Sequence, residues 1–172
     1  LIKKTLETAS IPMVIDADAL NILAQHPDWL ALLPPHTILT PHPGEFDRLF
    51  GKSTNSWDRF QKQIEVAQKY SVIVVLKGHH TSIALPDGSC YFNSTGNPGM
   101  ATAGCGDVLT GMTLSLLAQG YAPYQAALYA VYLHGLAGDI AAHEMGFEAL
   151  VASDIIKTIG KAFAHIRNSS TK

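Results

Sequence analysis

Charge is scarce in this chain, and so is cysteine. Only 15% of the 172 residues are Asp, Glu, Lys or Arg, and 12 basic against 14 acidic side chains leave a net charge of −2. Lys and Arg are scattered, so there is no electrostatic footprint for nucleic acid or for an anionic membrane surface. No apolar run approaches the ~20 residues of a membrane span, and the amino terminus is not expected to act as a secretion signal. The two cysteines, Cys90 and Cys105, stand in no metal-binding or redox spacing, which points to a reducing, cytoplasmic setting. What the chain does have is apolar mass. Hydrophobic residues make up 47% of it, which excludes disorder for the whole, and the length suits one domain with a real core rather than two.

The most informative stretch runs from Asn93 to Met112. It holds Gly96, Gly99, Gly104 and Gly106, then Asp107, and then the helically spaced apolar series Val108, Leu109, Met112 and Leu116. A glycine loop that opens a helix lets an anion approach several free N–H groups at the positive end of the helix dipole. Asp107 is the odd member of such a loop. It is either a favourable first-turn acid or a general base held beside a phosphoryl group in transfer. Cys105 sits where a thiol can acidify, but no residue of the loop looks like its base, and it reads as a small side chain lining the loop.

Polar clusters also follow each apolar strand pattern. The run Ile11–Ile15 leads into Asp16, Asp18 and Asn21, where an Asp can serve a ligand or cap the helix that follows. Thr37–Thr40 leads into Pro41-His42-Pro43-Gly44-Glu45, where two prolines fix the backbone around His42. That histidine is a ligand contact or a structural one, and Glu45, three residues on, is the candidate metal contact. Val72–Leu76 ends in Lys77-Gly78-His79-His80-Thr81, where Lys77 can reach a nucleotide phosphate or stand solvated at a loop edge.

The two short runs 82–85 and 90–92, joined by Pro86-Asp87-Gly88, read as a hairpin. Helices are expected at about 55–70, 107–119, 123–143 and 153–166, with a frayed tail at 168–172. The nearly apolar 123–143 helix is expected to be buried or to join subunits, with His134, Asp139 and His143 as structural or capping residues. Together these make an α/β domain with a mainly parallel sheet, its polar clusters gathered along one edge. Residues 1–8 read as a helix tail, so the chain is expected to begin in the middle of an architecture.

Asp16-Ala-Asp-Ala-Leu-Asn21, Thr40-Pro-His-Pro-Gly-Glu45, Lys77-Gly78-x-x-Thr81 and Asn97-Pro-Gly-Met-Ala-Thr102 through Gly106-Asp107 together resemble the ADP-dependent NAD(P)H-hydrate dehydratases of the ribokinase-like superfamily. The resemblance implies a ribokinase-like fold of which residues 1–172 form the C-terminal part, the N-terminal portion being absent. It implies a lyase that phosphorylates hydrated NADH or NADPH from ADP (or ATP) with Mg2+ and restores the reduced dinucleotide as phosphate leaves. Asp107 would be the catalytic base, and His42, Asp16, Asn21 and Asp107 would face the hydrate. Lys77, Gly78, His79, His80 and Thr81, with Gly104, Cys105 and Gly106, would hold the adenine nucleotide. A homo-oligomer, specifically a tetramer, and a link to an NAD(P)H-hydrate epimerase are further implications. Ala103 stands where the family usually has Gly, so its backbone must be one that an L-residue tolerates. The alternatives are a superfamily kinase of a vitamin-precursor alcohol, which tends to carry Asn in place of His42, and a catalytically silent nucleotide-binding domain.

Overall fold

The structure, a computed structural model, describes residues 1–169. Five short strands form one sheet in the order β1 (Val14–Ile15), β2 (Ile38–Leu39), β3 (Ile73–Leu76), β4 (Ser82–Ala84) and β5 (Cys90–Phe92). β1, β2 and β3 run parallel, joined by crossovers that contain helices α2 (Asp18–Gln25), then α3 (Pro43–Phe50) and α4 (Ser56–Tyr70). β3, β4 and β5 are antiparallel. The sheet is therefore mixed rather than mainly parallel. The connections on either side of β4 are too short for a crossover and can only fold back as hairpins. β1 is shorter than the apolar run around it, because Pro12 has no N–H to give to a ladder.

Every residue of β3 is apolar because both faces of the sheet are covered. Val74 joins Leu20, Leu23, Phe46 and Val66 on one side, while Ile73 and Val75 join Ile38, Ile83, Leu109 and Val131 on the other. α4 is fastened to the sheet by a buried amide whose polar atoms are satisfied. Gln63 Nε2 donates to the Val74 and Ser82 carbonyls at 2.8 and 3.1 Å, and its Oε1 accepts from Ser82 Oγ at 2.7 Å. α1 (Ile2–Thr8) packs its Leu6 into the first cluster.

A helical layer of α5 (Cys105–Ala118), α6 (Pro123–Met145) and α7 (Ala152–Ser169) closes the second face. α5 starts two residues before the expected Asp107, and α6 runs two residues beyond His143. α6 buries its alanine- and glycine-rich side and leaves Tyr124, Tyr129 and Tyr132 exposed. The tail expected at 168–172 is helical through Ser169, and the remainder of that expectation lies outside the described residues. Ala103 does not have a positive φ, as an L-residue requires. No helix among the described residues is long and apolar enough to cross a membrane.

Candidate functional site

The polar clusters after β1, β2 and β3 converge on the first turn of α5. Asp16 leaves β1 with its side chain 9% exposed. Its Oδ1 accepts from Lys77 Nζ at 2.8 Å and its Oδ2 from Thr110 Oγ1 at 2.8 Å. Neither Asp16 nor Asp18 caps α2. The N-cap is Ala17, at φ 51° and ψ −123°, with no side-chain cap bond. That conformation costs an L-residue ~1–3 kcal/mol, and such strain clusters at ligand sites.

His42, beyond β2, is the N-cap of α3. Its Nδ1 accepts from the N–H groups of Gly44 at 3.0 Å and Glu45 at 3.3 Å, while Glu45 Oε2 accepts from His42 N–H at 2.8 Å. This reciprocal capping box, not the flanking prolines alone, aims the imidazole. With Nδ1 accepting, the neutral ring carries its proton on Nε2, which lies 3.5 Å from Glu45 Oε1. Lys77, at the end of β3, also comes within 4.0 Å of Glu45 Oε2. Glu45 is therefore already engaged on both oxygens, and among the described residues no three His, Cys, Asp or Glu gather as a metal cage.

Gly104 is the N-cap of α5 at φ +87°, a conformation that suits glycine, and a side chain there would press on Ala152. Cys105 is buried, and that burial pushes its thiol up, away from the thiolate. Gly106 passes close to the ion pair: a Cβ there would lie 3.5 Å from Lys77 Nζ and 3.8 Å from Asp16 Oδ2. Asp107 follows on the exposed side of the same turn.

This junction is a wall between two cavities. One, of about 560 Å³, is lined by His42, Lys77, Gly78, His79, Thr81, Cys105 and Gly106, with the Asn93–Ala101 loop and α6 opposite. The other, of about 610 Å³, is lined by Asp16, Asp107, Thr110 and residues of α1 and β1. The structure thus groups His42 with the Lys77–Thr81 cluster rather than with Asp107. His80 and Gly104 are not among the residues lining the first cavity, and His80 Nε2 lies 3.2 Å from His79 Nδ1. Asn21 lines neither cavity, and its Oδ1 is taken by the Arg48 guanidinium.

Two residues of α6 bear on the site although they read from the sequence as structural or capping. Asp139 holds the Gly96–Asn97 segment. His134 lines the first cavity, and its Nε2 is shut from solvent with no hydrogen-bond partner among the described residues. Burial pulls His134 down to about 4 from its ordinary 6.5, partly opposed by the Cys105 backbone beside it. The folded protein therefore keeps this ring neutral, whereas the unfolded chain protonates it near 6.5. The associated stability is complete above that pH and is lost as the pH falls toward 4, a loss of ~3 kcal/mol by linkage. His134→Gln is expected to flatten the fall of the urea midpoint over that window; an unchanged pH slope would contradict this account.

Known proteins resemble this chain in sequence and fold. A family model described as NAD(P)H-hydrate dehydratase matches residues 1–161. The ADP-dependent (S)-NAD(P)H-hydrate dehydratase of Neisseria meningitidis is 43% identical over 166 residues, covering 94% of this chain and 55% of that protein. A bifunctional NAD(P)H-hydrate repair enzyme of Moorella thermoacetica is 47% identical over 160 residues, covering 91% and 30%. The solved structure of the ADP/ATP-dependent NAD(P)H-hydrate dehydratase of Bacillus subtilis, co-crystallised with ATP and Mg2+, superposes with a TM-score of 0.80 at 37% identity, over 92% of this chain and 56% of that one. A ribokinase of Arabidopsis thaliana, at 16% identity and a TM-score of 0.56, shares the fold alone. The chain spans between 30% and 56% of the length of those hydrate-repair relatives. With residues 1–161 matched by the family model, the chain belongs to the NAD(P)H-hydrate dehydratase family.

Proposed function

We propose that this chain carries the catalytic end of an ADP-dependent NAD(P)H-hydrate dehydratase, a cytoplasmic lyase of metabolite repair. The observation that carries the reading is the α5 amino terminus standing as a wall between two cavities, with Lys77 on one side and Asp107 on the other. The first cavity suits an adenine nucleotide. Lys77 supplies positive charge to its phosphates, and the unpaired first-turn N–H groups around Gly106 face transferred charge as an anion hole does. Gly78, His79, His80, Thr81, Gly104 and Cys105 shape and back that end. The second cavity suits the hydrated dinucleotide, with Asp107 taking the proton of the attacking hydroxyl. Asp16 lies at its edge, and His42 reaches the same junction from the nucleotide side.

In this reading the hydroxyl oxygen bonds to the β-phosphorus of ADP as the bond to AMP breaks. Departure of that oxygen as phosphate, with loss of a proton from the neighbouring carbon, restores the ring double bond. The products are NAD(P)H, AMP and phosphate. A magnesium ion would fit these residues if held mainly through nucleotide phosphates and water, because Glu45 is engaged on both oxygens and lines neither cavity. When bound it would share the charge of the transferred group.

Asn21, tied to Arg48, acts in this reading by fixing α2 against α3 rather than by touching the hydrate. The bifunctional repair enzymes among the relatives support cooperation with an epimerase, and the exposed tyrosines of α6 support a homo-oligomer. The test is the return of reduced-nicotinamide absorbance when hydrated NADH is mixed with the full-length protein, Mg2+ and ADP, with sedimentation of the same sample giving the assembly. Recovery with ADP or ATP is the expected result. A folded, nucleotide-binding protein that leaves the hydrate untouched but phosphorylates a hydroxymethyl heterocycle would replace this reading with that of a kinase.

A further inference from the structure

The side of the first cavity formed by Asn93–Ala101 has almost no regular structure of its own, only a 3₁₀ turn at Pro98–Met100. One face of α6 holds it in place. Thr95 Oγ1 donates to the Tyr132 carbonyl at 2.8 Å. Asp139 accepts from both of the next two residues: Gly96 N–H reaches its Oδ2 at 2.9 Å and Asn97 Nδ2 reaches its Oδ1 at 2.8 Å. Asn97 Oδ1 then takes Gly99 N–H at 3.1 Å, which caps the 3₁₀ turn.

The approach is possible because α6 presents no side chain there. A Cβ on Gly135 would stand 2.7 Å from the Thr95 carbonyl carbon, and one on Gly138 would stand 2.7 Å from Met100 Cε. Gly135, Gly138 and Asp139 fall on one helix face by their spacing. Thr95, Gly96, Asn97 and Met100 line the cavity, whereas Asp139 does not.

We propose that Asp139 is a positioning residue for nucleotide binding: through Gly96 and Asn97 it sets the cavity side against which the nucleotide seats. The proposal rests on the nucleotide reading of this cavity. An ionised carboxylate is an acceptor only, so it matches two converging donors and no other side chain of its size does. An asparagine in its place can accept from one of them but must turn an NH2 group toward the other. If Asn97 is changed to aspartate at the same time, the polarity is restored. The new amide on α6 would accept from Gly96 N–H and donate to the new carboxylate on the loop, whose second oxygen still caps Gly99.

The experiment is calorimetric titration of ADP into the full-length protein, with steady-state kinetics alongside. Asp139→Asn is expected to raise the ADP dissociation constant and KM about tenfold, the scale of losing one hydrogen bond to a charged acceptor, while kcat at saturating ADP stays within about twofold. Adding Asn97→Asp should bring both back toward the parent values. An ADP affinity unchanged in Asp139→Asn overturns the proposal. So does a fall in kcat with KM unmoved, or a double variant no tighter than the single. If the parent protein itself takes up no ADP, the nucleotide reading fails separately. The positioning claim is then decided by hydrogen exchange at the Gly96 amide, which must quicken in Asp139→Asn and slow again in the double variant.

Discussion

Replacing Asp107 by asparagine is expected to lower turnover of the hydrate ~10²–10⁴-fold, the range for losing a general base. The ADP dissociation constant should stay within about twofold, because no nucleotide contact is removed. The substitution keeps the shape of the side chain and every backbone N–H of the first turn of α5, and removes only the basic oxygen. Asp107 lines the 610 Å³ cavity and not the one beside Lys77, so the loss should fall on the chemical step. The helix gives up a favourable charge at its amino terminus, at ~0.3–1 kcal/mol, too little to unfold the protein. Single-turnover kinetics beside an ADP titration separate the two quantities. Turnover equal to the parent's would remove Asp107 from the mechanism.

Lys77→Ala is expected to damage two things at once, and a second substitution pulls them apart. Lys77 and Asp16 form a pair with side chains 22% and 9% exposed, and among the described residues Thr110 is the other side chain that donates to Asp16. Removing the ammonium leaves a nearly buried carboxylate without its counter-charge, a loss of up to about 3 kcal/mol. It also removes the cation expected to meet nucleotide phosphate. Adding Asp16→Asn neutralises the orphaned charge, so the melting temperature should return most of the way. ADP affinity should not return, since the phosphate still lacks its partner. An ADP dissociation constant unaltered in Lys77→Ala would refute that assignment, and a double variant as unstable as the single would refute the account of the pair.

The strands and the polar residues that follow them were readable because apolar runs of β-branched residues stop abruptly at Asp16, Pro41 and Lys77. The hairpin was readable from Pro86-Asp87-Gly88, and the loop-to-helix junction from its glycines. What could not be read is what those side chains hold. Lys77 and Asp16 are 61 residues apart, and nothing in either neighbourhood tells a phosphate-seeking lysine from one already paired. Asp139 read as structural or capping because both of its donors lie more than 40 residues back, in a segment without periodicity. His42 was legible as a fixed side chain; the capping box that fixes it is local, with Glu45 three residues on, but histidine is not among the usual N-cap residues. His42 and Asp107 looked like two contacts to one substrate. In three dimensions the first turn of α5 separates the cavities that they line.

The long reach of these contacts also bears on the order in which the molecule assembles. The Asp16–Thr110 hydrogen bond spans 94 positions and Lys77–Asp16 spans 61, whereas the β3–β4–β5 meander and the α5–α6–α7 layer are built from neighbours in sequence. Loop closure over such spans carries an entropic cost that local pairings escape, so the meander and helical layer can form before the three strand ends meet α5. A chain halted at that stage would have nearly native far-ultraviolet dichroism and no junction between the cavities. Refolding followed by ADP binding would therefore lag behind refolding followed by helicity, and nucleotide capture would report the last step to be completed.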